Sequence, residues 1–257
     1  THNAQGKRVV YIDGHSIVCA DGGEVVQRIP LGDVPLTRKG TISFQVENAM
    51  ASVAAAWALN LDWAAVRAAL KSFASDAETA PGRFNVFSYR GATLIADYGH
   101  NPDAILALVR ADALTVLMHR EAMPAERRMM VISGAGDRRD EDIRKQTEII
   151  GDAFDEVILY QDQCQRGRAD GEVLGLLREG LARARRATAV EEIRGEFFAI
   201  DTALARIQPG ELCLILIDQV EEALAHIAGR LAEVWIDRSA KAATPAGAPL
   251  QKKAATA

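Results

Sequence analysis

The chain has 257 residues, enough for one large domain or for one domain and part of another at roughly 100–200 residues each. With 49% hydrophobic and 25% charged residues it can pack a core, which excludes a disordered chain and a small scaffold that needs staples. Lys and Arg number 30 against 35 Asp and Glu, a net charge of -5, which argues against a surface built chiefly for nucleic acid or anionic lipid and leaves only local basic pockets open.

In chain order, Val9 to Ile12, Ser16 to Cys19 and Val25 to Ile29 are β-rich runs separated by Asp13-Gly14 and Asp21-Gly22-Gly23, which predicts a meander of hairpins. After Pro35 the pattern turns helical: Gln45 to Leu59 reads as an alanine-rich helix, and Asp62 to Phe73 as a second one with Asp62 as its N-cap. This first region, residues 1–80, is too small and lopsided to close a core by itself, so it is expected to complete something absent or to pack on the region after it. Its longest apolar run, Ala49 to Leu59, is broken by Ser52 and is about half a membrane span.

Between residues 81 and 237 apolar runs alternate with helical periods, which predicts an α/β domain with a Rossmann-like, mostly parallel sheet. The strands are Phe84 to Tyr89, Thr93 to Asp97, Met129 to Ser133, Val157 to Tyr160, Ala189 to Ile193 and Leu212 to Asp218, with helices beginning near Pro102, Asp140, Asp170, Glu196 and Gln219. The aliphatic faces of Ile105 to Leu117 are core. From Arg238 the apolar period is lost and residues 238–257 read as a disordered, solvated tail. Cys19, Cys164 and Cys213 fit no zinc or redox spacing and are odd in number, which points to a reducing compartment, the cytoplasm. The chain begins at Thr1 without Met and shows no signal region, so a piece of a longer or processed protein is expected.

Ligands of a doubly wound sheet bind beyond the carboxyl ends of its strands. Three of those ends are polar: Asp97-Tyr98-Gly99-His100-Asn101-Pro102-Asp103, Ser133-Gly134-Ala135-Gly136-Asp137-Arg138-Arg139-Asp140 and Gln161-Asp162-Gln163-Cys164-Gln165-Arg166-Gly167-Arg168. Glycines there admit a ligand close to the backbone, Arg offers a planar fork to carboxylate or phosphate, and Asp can hold a ribose hydroxyl or a cation. Each element also has a plain reading. Gly134-x-Gly136 is either a nucleotide loop or a turn, His100 either a ligand or a loop histidine satisfied by the backbone, and Asp137 to Asp142 either a site or a solvated helix start. The sequence contains no Gly-x-x-x-x-Gly-Lys-Ser/Thr loop, no Gly-x-Ser-x-Gly elbow and no Cys/His nucleophile pair.

Asp97-Tyr98-Gly99-His100-Asn101-Pro102 resembles the Asp-Tyr-x-His-x-Pro element in the C-terminal domain of the Mur-type ATP-dependent amide ligases. Gln45-Val46-Glu47-Asn48-Ala49 is similar to the end of that family's central ATPase domain, and Pro81-Gly82-Arg83-Phe84 to its interdomain element. Ser133 to Asp142 with Arg144, and Arg166-Gly167-Arg168-Ala169-Asp170-Gly171-Glu172, resemble most closely the Mur-like half of the cyanophycin synthetases, and the likeness covers residues 9 to 235. The resemblance implies an α/β Mur ligase C-terminal domain over 81–237, preceded over 1–80 by the end of a central domain that lacks its P-loop. It implies a ligase that phosphorylates a carboxylate with ATP and Mg2+ and lets an amine attack the acyl phosphate. In the cyanophycin branch, L-arginine joins the β-carboxyl of aspartate on a poly-aspartate backbone. Carried over, Asn48, Arg83, Asp97, His100 and Asn101 face the nucleotide. Asp137, Arg138, Arg139, Arg166, Arg168 and Asp170 face the amino acid or the polymer, with His100 and Arg139 catalytic and Asp137 or Asp162 available to a guanidinium. The resemblance also implies magnesium ligands and a P-loop upstream of Thr1, no activity for these residues alone, and a homo-oligomer. Other readings are a non-catalytic oligomerisation module and another Mur-type amino-acid ligase.

Overall fold

The computed structural model describes residues 5–109, 127–161 and 164–243. Asp162, the stretch 110–117 of the expected core face and the segment 244–257 of the expected tail lie outside the described residues. The first region opens with an antiparallel meander, β1 (Val9–Asp13), β2 (Ser16–Asp21) and β3 (Glu24–Pro30). Its turns are two residues long. Gly22 and Gly23 take φ of +59° and +92° between the paired Asp21 and Glu24, the conformation that matches hairpin twist. Helices α1 (Ser43–Ala58) and α2 (Trp63–Ser72) follow, and the Asp62 carboxylate accepts the Ala65 N–H at 3.1 Å as the N-cap of α2.

Contrary to the expectation from its composition, this region closes a small core of its own. Ile17, Cys19 and Ile29 of the meander meet Val46, Ala49, Val53 and Trp57 of α1 and Val66 of α2. The alanines of α1 make this work, because small side chains let the helix sit close to the strands. The region also reaches the next one: Ile42 and Phe44 pack into the second core, and the Phe44 ring meets Phe84 edge-on at 5.4 Å.

The second region is a six-stranded sheet of β4 (Asn85–Tyr89), β5 (Ala92–Asp97), β6 (Arg128–Ile132), β7 (Glu156–Gln161), β8 (Ala189–Arg194) and β9 (Leu212–Leu216). Its order is β4-β5-β9-β6-β7-β8, parallel throughout except for the β4-β5 hairpin. Helices α3 (Pro102–Val109), α4 (Asp140–Gly151) and α5 (Glu172–Leu181) cover one face, where Ile105, Ile143 and Leu177 pack on Ile95, Ile132, Leu159 and Leu214. Helices α6 (Glu196–Arg206) and α7 (Val220–Ala243) cover the other, where Ile200 and Ile227 pack on Ala96, Val131, Ile158 and Ile215. The alternation along β5, β9, β6 and β7 is the period-2 pattern of strands buried on both sides, whereas the edge strand β8 is mostly exposed.

Among the boundaries that differ from the sequence reading, two have the largest effect. Helix α7 runs through Ala243, past the point where the apolar period ends, because Arg, Ala and Lys are strong helix formers. Strand β9 stops at Leu216, which leaves Asp218 in the loop beyond it.

Candidate functional site at the carboxyl edge of the sheet

Strand β9 returns from the β8 side to lie between β5 and β6, and its outgoing helix goes to the opposite face from theirs. A crevice opens where neighbouring strands send their chains to opposite faces. Here it gathers the loops after β5, β6, β7 and β9.

The β5 loop begins at Asp97, which is buried at the strand end and accepts the Phe84 N–H at 2.8 Å. Burial pushes its carboxyl up to about 6, against the N–H groups of Phe84 and Gly99 and the charge of Arg83, all of which favour the carboxylate. The bond from Phe84 fixes a residue with φ of +54°, an uncommon setting for an aromatic side chain. Gly82, with φ of +67°, is pressed close: a Cβ there would stand 2.9 Å from Val220, and its carbonyl accepts the Tyr98 N–H at 2.8 Å. Arg83 is exposed and lies 6.0 Å from the Tyr98 ring centroid. Tyr98 in turn packs on the His100 ring, centroids 4.5 Å apart.

His100 is buried; its carbonyl accepts from the Gln146 side chain at 3.1 Å, and its Nε2 stands 3.6 Å from Asp218 Oδ1. Arg166 bridges the cluster. It donates to Asp137 Oδ1 and to Asp218 Oδ1, both at 3.2 Å, beside the Tyr98 side chain. Four loops therefore meet at Tyr98, His100, Asp137, Arg166 and Asp218. Close approach of the β6 and β7 loops depends on Gly136, where any Cβ would collide with the Gln165 carbonyl oxygen.

The other sequence-derived residues take different places. Arg168 is a tie between loops: it donates to the carbonyls of Gly136 and Arg138, each at 2.7 Å, and pairs with Asp140 and Glu172. Asn101 caps α3, its Oδ1 accepting the Ala104 N–H at 2.8 Å. Arg139 is the exposed residue just before α4, at its N-cap position, forked onto Asp142 at 2.9 and 3.0 Å and paired with Glu141. Arg138 is exposed beside it. Asp170 pairs with Arg194 and Gln161, toward the β7/β8 side. Asn48 is exposed on α1 and donates to Gln45 one turn back.

Two residues escaped the sequence reading, Asp218 and Glu196. Reading Leu212 to Asp218 as one strand hides Asp218, which lies beyond the strand end at Leu216. Glu196, the first residue of α6, is buried, and its carboxylate accepts the N–H groups of Asp218 at 2.8 Å and Gln219 at 3.1 Å. Among the described residues no group of three His, Cys, Asp or Glu side chains could hold a metal ion, and no helix is long and apolar enough to cross a membrane.

The model for the family described as "Mur ligase, glutamate ligase domain" matches residues 82–216, more than half of the chain. The chain belongs to the Mur ligase family. A cyanophycin synthetase of Geminocystis herdmanii is 31% identical over 223 residues, 86% of this chain and 24% of that protein. A UDP-N-acetylmuramoyl-L-alanyl-D-glutamate--2,6-diaminopimelate ligase of Bradyrhizobium diazoefficiens is 34% identical over 174 residues, 67% of this chain and 32% of the relative. This Mur ligase chain thus spans about a quarter to a third of the length of these relatives. Escherichia coli FolC in complex with ADP shares the fold, with a TM-score of 0.56 at 21% identity over 93% of this chain and 47% of that one.

Proposed function

We propose that these residues form the amine-substrate side of an ATP-dependent ligase that attaches L-arginine to the β-carboxyl of aspartate in a poly-aspartate backbone. The observation that carries the reading is the cluster itself: two carboxylates, Asp137 and Asp218, converge on a guanidinium at the carboxyl edge of the sheet. The similarity to cyanophycin synthetase, which extends over 86% of the chain, supports it.

In this reading the aspartate carboxylate attacks the γ-phosphorus of ATP, ADP leaves, and the arginine amine attacks the acyl carbon as phosphate departs. The ammonium must lose a proton before it attacks, and His100, packed under Tyr98 beside Asp218, is the group assigned to take it. Asn48, Arg83, Asp97 and Asn101 are assigned to the nucleotide. Arg138 and Arg139, exposed on the rim, are assigned to the polymer's carboxylates, and Arg168 and Asp170 to the frame of the arginine site. The triphosphate cradle and the Mg2+ that neutralises it are assigned to groups outside the described residues. His100 and Asp218 are the largely buried members of the cluster, which keeps water from the proton-accepting side of the site.

The test uses the complete gene product with ATP, Mg2+, a poly-aspartate primer and labelled L-arginine. The reading predicts label in the polymer and one ADP released per arginine joined. ADP release that ignores arginine, or that responds instead to glutamate or diaminopimelate, would overturn it.

A further inference from the structure

The arginines of this protein are held in two different ways. Arg186 forks onto Asp155 with both contacts at 2.9 Å, and Arg230 onto Asp201 at 2.8 and 2.6 Å. Such bidentate forks fix a guanidinium in plane and distance. Arg166 makes no fork with either of its acids. It reaches one oxygen of Asp137 and one of Asp218, each at 3.2 Å, the long end of the hydrogen-bond range. Its own backbone takes φ of +49° and the next residue, Gly167, +92°, so the arm springs from a left-handed turn rather than from a strand or helix. Asp218, in contrast, is set, whereas Asp137 is exposed on the β6 loop. Asp218 is largely buried, and the turn that carries it is pinned through both of its first N–H groups by the buried carboxylate of Glu196. The niche is fixed at Asp218 and open at Asp137, and Arg166 reaches each of them through a single long contact.

We propose that Asp137 and Asp218 form a guanidinium-recognition niche in which Arg166 is a resident plug, that the side chain of the incoming arginine takes its place, and that Glu196 is the positioning residue that holds Asp218 to the niche. The inference rests on the reading of arginine as the amine substrate and adds to it the groups that select a guanidinium. The exchange conserves charge in the niche, one guanidinium against two carboxylates before and after. It also frees the Arg166 cation for a carboxylate of the bound amino acid or polymer. A neutral urea of the same shape gains nothing from displacing the plug, so citrulline is rejected.

The experiment titrates this chain with agmatine, the guanidinium side chain of arginine without its carboxylate, and with L-citrulline, by calorimetry. Agmatine is expected to bind and citrulline not. Arg166→Ala removes the plug and is expected to tighten agmatine severalfold, whereas Asp218→Asn weakens it by about tenfold. Glu196→Gln is expected to weaken agmatine severalfold and to release the protected amide hydrogens of Asp218 and Gln219 in hydrogen exchange, with the sheet amides unchanged. Agmatine binding that is unmoved or weakened by Arg166→Ala, or unmoved by Asp218→Asn, overturns the niche. The two readings fail separately: a gene product that binds agmatine as described but joins no arginine to poly-aspartate contradicts the ligase assignment and leaves the niche standing.

Discussion

The two ends of the six-stranded sheet use the same residue types to opposite purposes. At the amino end, Glu156 is buried and accepts from Arg127 and Arg206, while Asp155 takes the fork of Arg186 and the backbone N–H of Arg128. These pairs tie the starts of β6, β7 and β8 to the end of α6 and leave neither carboxylate unpaired. At the carboxyl end, Arg166 touches two acids at one oxygen each, His100 stands beside Asp218, and Asp97 is buried with Arg83 as the nearby charge that favours its ionised form. On the proposed reading, the difference separates ion pairs that hold a fold from ion pairs that exchange for a ligand.

That contrast can be broken from either end. Glu156→Gln at the amino end leaves two arginines sharing a neutral acceptor and is expected to cost about 2–3 kcal/mol in denaturant unfolding, the arginines being partly solvated. It should leave the KM for arginine unchanged. At the carboxyl end Gly136→Ala forces a Cβ into the Gln165 carbonyl and is expected to cost about 1–3 kcal/mol. It should also abolish arginine joining by pushing the β6 and β7 loops apart, which separates the two ends if Glu156→Gln spares activity.

Asp97 sharpens the comparison through pH. Its carboxyl is raised from 3.8 to about 6 in the folded protein, so the native state binds more protons than the unfolded state between those values. Stability from this group is present below about pH 4, falls as pH rises to about 6, and stays lost above. Asp97→Asn should remove that fall, so its melting temperature should gain on wild type across pH 4–6 and hold the gain at pH 7. A constant difference across that range would show that Asp97 does not titrate there. The smallest effect is expected far from both ends: Asp62→Ala removes the N-cap of α2 and should cost about 1 kcal/mol with activity unaltered.

Much of this was legible in the sequence because strands, turns and caps are local. The apolar runs marked all nine described strands within a residue or two, and Asp62 announced the start of α2. The polar strand ends drew attention to Asp97, His100, Asp137 and Arg166, which the fold brings to one crevice. Strand order was not legible. Nothing local tells β9 to return between β5 and β6, and that return is what carries Asp218 to the centre. Nor does composition reveal that Glu196 spends its carboxylate on two backbone N–H groups, or that Arg168, chemically equal to Arg166, is consumed by the carbonyls of Gly136 and Arg138.

The most direct measurement is the KM for L-arginine of the complete gene product carrying Asp218→Asn, set beside that of Glu156→Gln. If the carboxyl end recognises the guanidinium, Asp218→Asn raises KM by about tenfold with melting nearly unchanged, and Glu156→Gln lowers melting with KM unchanged. Equal KM values in the two variants and in the wild type would contradict the account.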